Sequence, residues 1–344
     1  MQVLPQALFL VMLELTVGSF VSLYLLDLRG GTTKGFLTFQ GVLYIVFGVL
    51  TLLAMNNFAT PQIVHGTGLD EAWLNAQGPL VLAFVLLMIP WNVLLWRSAP
   101  PAKKKNETAA KTAEAIDDGE AVATPPARQS SRMPRAITGA VVCAVGVVAL
   151  FVVAMAYRTL ADSRLDGAFV VLTFLAGAMA LGGVMTAMLL GHWYLNTPTA
   201  SGKPLEFVTT FLLIALAAEL AFTLVMGPST AHLAPGATPI TPGTTIQTTG
   251  NGVKVSTPTA TAGQKSGQSV QTAEPRQAPL GQGAMIWLQF LMGFIAPLIL
   301  GGVALYLTRG RSFQSATGML YLCVSFIFIG EVLGRGMLLL PVLG

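Results

Sequence analysis

Apolar residues along this chain fall into eight runs of roughly 20 residues, split by short polar breaks and two longer polar stretches. The runs cover approximately 5–26, 36–55, 79–96, 136–156, 167–194, 205–226, 283–307 and 315–341. A helix needs about 20 mostly apolar residues to cross the hydrocarbon core, so each run predicts one transmembrane helix. The expected fold is all-α: a polytopic integral membrane protein with about eight transmembrane helices in a bundle. The fifth and eighth runs exceed the hydrocarbon thickness and are expected to tilt or protrude. Gly177, Gly182 and Gly183 recur within the fifth, where small residues allow close helix contact.

The polar stretches set the organisation. Residues 1–97 carry helices 1 to 3, 136–226 helices 4 to 6, and 282–344 helices 7 and 8. Between them, 98–135 mixes Pro, Ala and both charges, and 227–281 is rich in Thr, Pro, Gly, Gln and Ser. Both have too few large apolar residues to offset ordering entropy and are expected to be disordered loops. The first run has no Lys or Arg ahead of it and is too long for a signal-peptide core, so it is expected to be a retained span.

Composition agrees, with 53% hydrophobic and 10% charged residues. A soluble domain carries roughly a quarter charged residues and is excluded. The net charge of +4 lies in the loops, where it orients the protein rather than attracting an acidic partner. Thirteen Lys and Arg fall in the loops after spans 1, 3, 5 and 7, against five in the remaining loops and termini. This predicts both termini outside the cytoplasm of the inner (plasma) membrane, with 98–135 cytoplasmic and 227–281 external. Membrane lipid is the expected surrounding. A basic stripe with groove-reading elements is missing, so no nucleic-acid partner is expected.

Ionisable residues inside spans are costly unless paired or hydrated, which makes them informative. Glu331 and Arg335 are four apart, share one face of span 8 and can form an ion pair. Glu219 lies at similar depth in span 6, and Glu14 sits near the middle of span 1. Each of these two is expected either as a neutral, hydrogen-bonded acid or as a proton acceptor beside a transport or redox site. His192-Trp193-Tyr194 ends span 5 like an interfacial aromatic belt, and Glu206 at the start of span 6 is within possible reach of His192.

Several chemistries lack their residues. A membrane b-type haem needs two axial His at one depth, and His65, His192 and His232 do not supply them, so no haem is expected. Cys143 and Cys323 sit inside apolar runs without CxxC or Cys/His spacing, and no metal is expected. Nucleotide-binding and hydrolase motifs are missing too, so catalysis by the isolated chain is not expected.

Span 8 reads VSFIFIGEVLGRG from Val324 to Gly336. It resembles the last helix of the dimethyl sulfoxide reductase membrane anchor, within the wider family of polysulfide and nitrite reductase anchor subunits. Leu53–Pro61, at the end of span 2, is similar to that anchor's Met-Leu-His-Leu-Gly-Ser-Pro, and Leu172–Gly191 shows a similar Gly-broken pattern. The resemblance implies an eight-helix, haem-free anchor that docks iron–sulfur or molybdopterin-type redox subunits and exchanges electrons and protons with quinone or menaquinone. The chain departs from the pattern where Asn57 takes the place of the anchor's quinol-site histidine and Gln77 that of its acidic partner. His65, four residues beyond Pro61, is the available imidazole. The implied quinol site is therefore Glu14, Asn57, His65 and Gln77.

Two rival functions stand beside this expectation. One is a non-catalytic scaffold or assembly subunit that keeps the anchor fold without the quinol site. The other is a secondary transporter with Glu14, Glu219 and the Glu331–Arg335 pair as its coupling site. Against transport stand the lack of an inverted repeat and the unmatched Pro90 and Pro297.

Overall fold

The computed structural model describes residues 3–59, 69–97, 132–158, 164–197, 201–226, 246–249, 252–255 and 282–343. His65 of the implied quinol site and most of the two polar stretches lie outside the described residues. Among the described residues, eight helices are long and apolar enough to cross a membrane, and the chain is an all-α polytopic bundle. In order they are α1 (Val3–Arg29), α2 (Lys34–Phe58), α3 (Glu71–Arg97), α4 (Arg132–Tyr157), α5 (Arg164–Asn196) and α6 (Lys203–Met226). The seventh span is α7 (Gln282–Gln289), a π-helical segment (Phe290–Ile295) and α8 (Ala296–Arg309); the eighth is α9 (Phe313–Leu343).

Every helix extends past its apolar run, because polar ends cap and anchor it. Asp70 accepts a hydrogen bond from the Ala72 amide at 3.1 Å, which starts α3 eight residues before the expected 79. Likewise, Thr33 accepts from the Phe36 amide and caps α2. Between residues 246 and 255 a small antiparallel hairpin, β1 (Ile246–Thr249) and β2 (Gly252–Val255), pairs Ile246 with Val255. That corrects the expectation of a structureless stretch at this point: Ile246, Val253 and Val255 give it local β-forming residues. The interruption of the seventh span has a local cause. Pro297 offers no N–H to the carbonyl of Gly293, and the Ala296 amide bonds back to Leu291, five residues away.

The spans form two groups of four with one connectivity. In the first, α1 packs on α2, α2 on α3, α3 on α4, and α4 back on α1. In the second, α5 packs on α6, α6 on α8, α8 on α9, and α9 back on α5. The groups meet through α1 and α5, whose apolar windows are 72% and 67% buried against 28–39% for the other six. This contact is close because Gly18 lies on the Ala178 carbonyl and on Gly182, where any Cβ would overlap backbone.

Neighbouring spans run antiparallel, so Val3 and Leu343 share one face of the bundle, the terminal face. The opposite, basic face carries Arg29, Lys34, Arg97, Arg135, Lys203 and Arg309. There Arg135 bridges Asp27 at 2.9 Å and the Tyr24 hydroxyl donates to the Ala136 carbonyl, fastening α4 to α1. At the terminal face Gln6 donates to the Phe58 carbonyl (3.2 Å) and Gln77 to that of Ala59 (2.8 Å), so α1 and α3 together satisfy the end of α2.

Candidate functional site, a charge cluster between the two halves

Where the halves meet, four ionisable side chains from three spans converge on the backbone of a fourth. Arg335 of α9 places Nη2 2.7 Å from Glu14 Oε1 of α1, 3.2 Å from Glu331 Oε2 of its own helix, and 4.0 Å from Glu219 Oε1 of α6. The same nitrogen donates to the Thr173 carbonyl of α5 at 3.3 Å, and the guanidinium lies 4.2 Å from the centre of the Phe174 ring. All four ionisable side chains are at most 7% exposed.

The chain makes room for this convergence with one residue. A Cβ on Gly177 would meet Arg335 Nη2 at 2.8 Å, Glu331 Oε1 at 2.9 Å and Glu219 Oε1 at 3.0 Å. Glycine thus forms the floor of the cluster, and the Gly-broken pattern of span 5 has a specific use here.

The electrostatics are unbalanced. A guanidinium keeps its charge at every accessible pH, so it neutralises one carboxylate. Three carboxylates at bilayer depth make the site neutral only when two carry protons, and an uncompensated charge there is expensive. Glu14 Oε2, Glu219 Oε2 and Arg335 Nε have no hydrogen-bond partner among the described residues.

The expected Glu331–Arg335 pair is present. Glu14 and Glu219 belong to the same cluster, because α1 lies at the centre of the bundle and turns Glu14 towards α9. Three residues of the implied quinol set, Glu14, Asn57 and Gln77, are among the described residues. Gln77 is buried and spends its amide on capping α2, Asn57 is exposed and bonds the Leu53 carbonyl of its own helix, and Glu14 faces Arg335. Gln77 Oε1 is a buried acceptor without a partner among the described residues.

The suggested His192–Glu206 contact is also corrected. Glu206 pairs with Arg309 at 2.7 Å, and His192, exposed at the basic face, has Nδ1 3.3 Å from the Tyr321 hydroxyl. Span 6 starts beside the end of span 7, which draws Glu206 to Arg309, whereas His192 is on the side of α5 that meets α9.

Sequence reasoning placed Gly177 among the helix-contact glycines but missed its position under the cluster, and of the interior polar residues of α1 it singled out Glu14 alone. Gln6, Glu14, Thr16, Ser19 and Ser22 are all buried, and so many polar groups on one span are a signal of a central helix. No protein-family model matches the chain, and no curated protein matches it.

Proposed function

We propose that the chain is a proton-coupled integral membrane protein, a secondary transporter in which Glu14, Glu219 and Glu331 share exchangeable protons around the fixed charge of Arg335. The observation that carries this reading is three buried carboxylates on one guanidinium, set where the two four-span halves meet. Sites at a repeat interface near the midplane are where secondary transporters bind coupling ions, and repeats of parallel topology are one of their two plans. The inverted repeat missing from the sequence is not needed by that plan.

The protein's own residues supply the coupling. Glu14 belongs to the first half, whereas Arg335, Glu331 and Glu219 belong to the second. With Glu14 ionised, its pair with Arg335 ties the halves together. A proton on Glu14 removes that attraction and leaves Glu331 as the ionised partner on Arg335's own helix. Protonation thereby changes how strongly one half holds the other, which is what alternating access requires.

A second reading keeps the chain as the membrane anchor subunit of a redox complex, docking iron–sulfur or molybdopterin-type subunits. It is favoured by the VSFIFIGEVLGRG segment, whose Glu331 and Arg335 are cluster members.

The test is proton flux. Purified protein in liposomes with a trapped pH-sensitive dye should dissipate an imposed pH gradient faster than empty liposomes, and Glu219→Gln should remove the difference. Gradient decay equal to that of empty liposomes contradicts the transport reading. Saturable binding of a fluorescent quinol analogue by protein that moves no protons would favour the anchor.

A further inference from the structure

The seam between α2 and α3 ends in a groove at the basic face. Away from that face the two helices touch closely. A Cβ on Gly41 would overlap the Asn92 side chain, and one on Gly48 would meet Val85 Cγ2 at 2.8 Å. Nearer the basic face they leave a groove of about 590 Å3, lined by Lys34, Gly35, Thr38, Phe39 and Trp96. Lys34 Nζ donates to the Trp96 carbonyl at 2.7 Å, which holds the ammonium across the seam. Phe39 and Trp96 are 54% and 58% exposed, so the groove opens outward from the bundle.

The groove is polar at one end and apolar along its length. Lys34 brings a positive charge and Thr38 a hydroxyl, and a carbonyl partner fixes the ammonium without neutralising it. Below them Val42 and Val49 on α2, and Ile89 and Leu82 on α3, are exposed on the groove's side of their helices. Val42 lies about 12 Å along α2 from Lys34 and Val49 about 22 Å, which covers the roughly 15 Å that one leaflet's chains occupy. The surroundings keep the positive sign. No Asp or Glu occurs in α2, Glu71 of α3 sits at the opposite end of that helix, and Arg97, exposed, follows Trp96.

We propose that this groove binds an anionic glycerophospholipid, with its phosphate on Lys34, its ester region at Thr38 and one acyl chain along the α2–α3 seam. The charge selects an anion, because an ammonium meets a phosphate oxygen in a strong, charge-assisted hydrogen bond. The apolar seam selects a lipid over a soluble anion, because it runs from the groove towards the bilayer interior. Trp96 and Phe39 suit the same depth, where an amphipathic indole lies at the headgroup level. A lipid seated here touches both helices and fastens the edge of the first half. The site is separate from the charge cluster and stands whether or not the chain moves protons.

The test is native mass spectrometry of the purified full chain, stripped of lipid in an uncharged detergent. It is titrated with phosphatidylglycerol or with phosphatidylcholine of the same acyl chains. The first phosphatidylglycerol should bind about fivefold or more tightly than phosphatidylcholine. Lys34→Gln should remove that preference, whereas Lys203→Gln, on the same face outside the groove, should keep it. Thr38→Asp leaves the Lys34–Trp96 bond in place, puts a carboxylate in the groove and should also remove the preference. It serves if Lys34→Gln folds poorly. Equal binding of the two lipids by the parent, or a preference kept in either folded groove variant, overturns the proposal. Displacement of the lipid by excess inorganic phosphate would assign the groove to a soluble anion and overturn it too. So would a second copy of the chain bound in place of the lipid.

Discussion

Arg335 Nη2 lies 2.7 Å from Glu14 Oε1, joining the last transmembrane helix to the first across the boundary of the two halves. Removing the cation leaves the cluster's remaining carboxylate charge at bilayer depth without its counter-ion. Breaking a buried pair by deleting one partner costs about 3–5 kcal/mol. Arg335→Met is therefore expected to lower the thermal midpoint and the folded yield sharply. Adding Glu14→Gln should restore part of both, since the second change removes a stranded charge. Equal losses in the single and double variants would show that the two residues are not coupled.

Gly177 gives a second expectation. Its missing side chain is the space that Arg335, Glu331 and Glu219 occupy, and a methyl there would sit within 3.0 Å of all three. Overpacking of this kind costs about 1–3 kcal/mol. Gly177→Ala should lower the thermal midpoint and disturb proton exchange at the cluster, while Gly302→Ala, which meets nothing within 4 Å, should leave both unchanged. The check is a pair of melting curves in one detergent, and equal midpoints would remove Gly177 from the account.

Orientation supplies a third. Thirteen of the 19 Lys and Arg belong to loops on the basic face, which predicts that face to be cytoplasmic. With Cys143 and Cys323 replaced, cysteine at Thr259 should be labelled by an impermeant reagent in intact cells, and cysteine at Thr108 only after permeabilisation. Labelling of the Thr108 variant in intact cells would reverse the topology.

The eight spans were legible because each apolar run is long enough to cross a bilayer and helices are the structure such runs adopt there. The Glu331–Arg335 pair was legible from its i,i+4 spacing. What joins Glu14 to that pair was not, because 321 positions separate Glu14 from Arg335 and no local period connects them. The same holds for the two-half arrangement, which depends on α1 and α5 touching through Gly18 and Gly182. The partners of Gln77 and Glu14 from the implied quinol set were not legible either, because they lie on or at the end of other helices. In the fold, Gln77 caps α2 while Glu14 turns to α9.

The central claim is that two of the three carboxyls around Arg335 hold protons. Infrared spectroscopy of the purified protein at neutral pH reads protonated carboxyls directly. The account predicts a protonated-carboxyl band from the membrane interior that weakens in Glu14→Gln and in Glu219→Gln and persists in Glu206→Gln. A spectrum without that band, or one that none of the cluster substitutions changes, would contradict it.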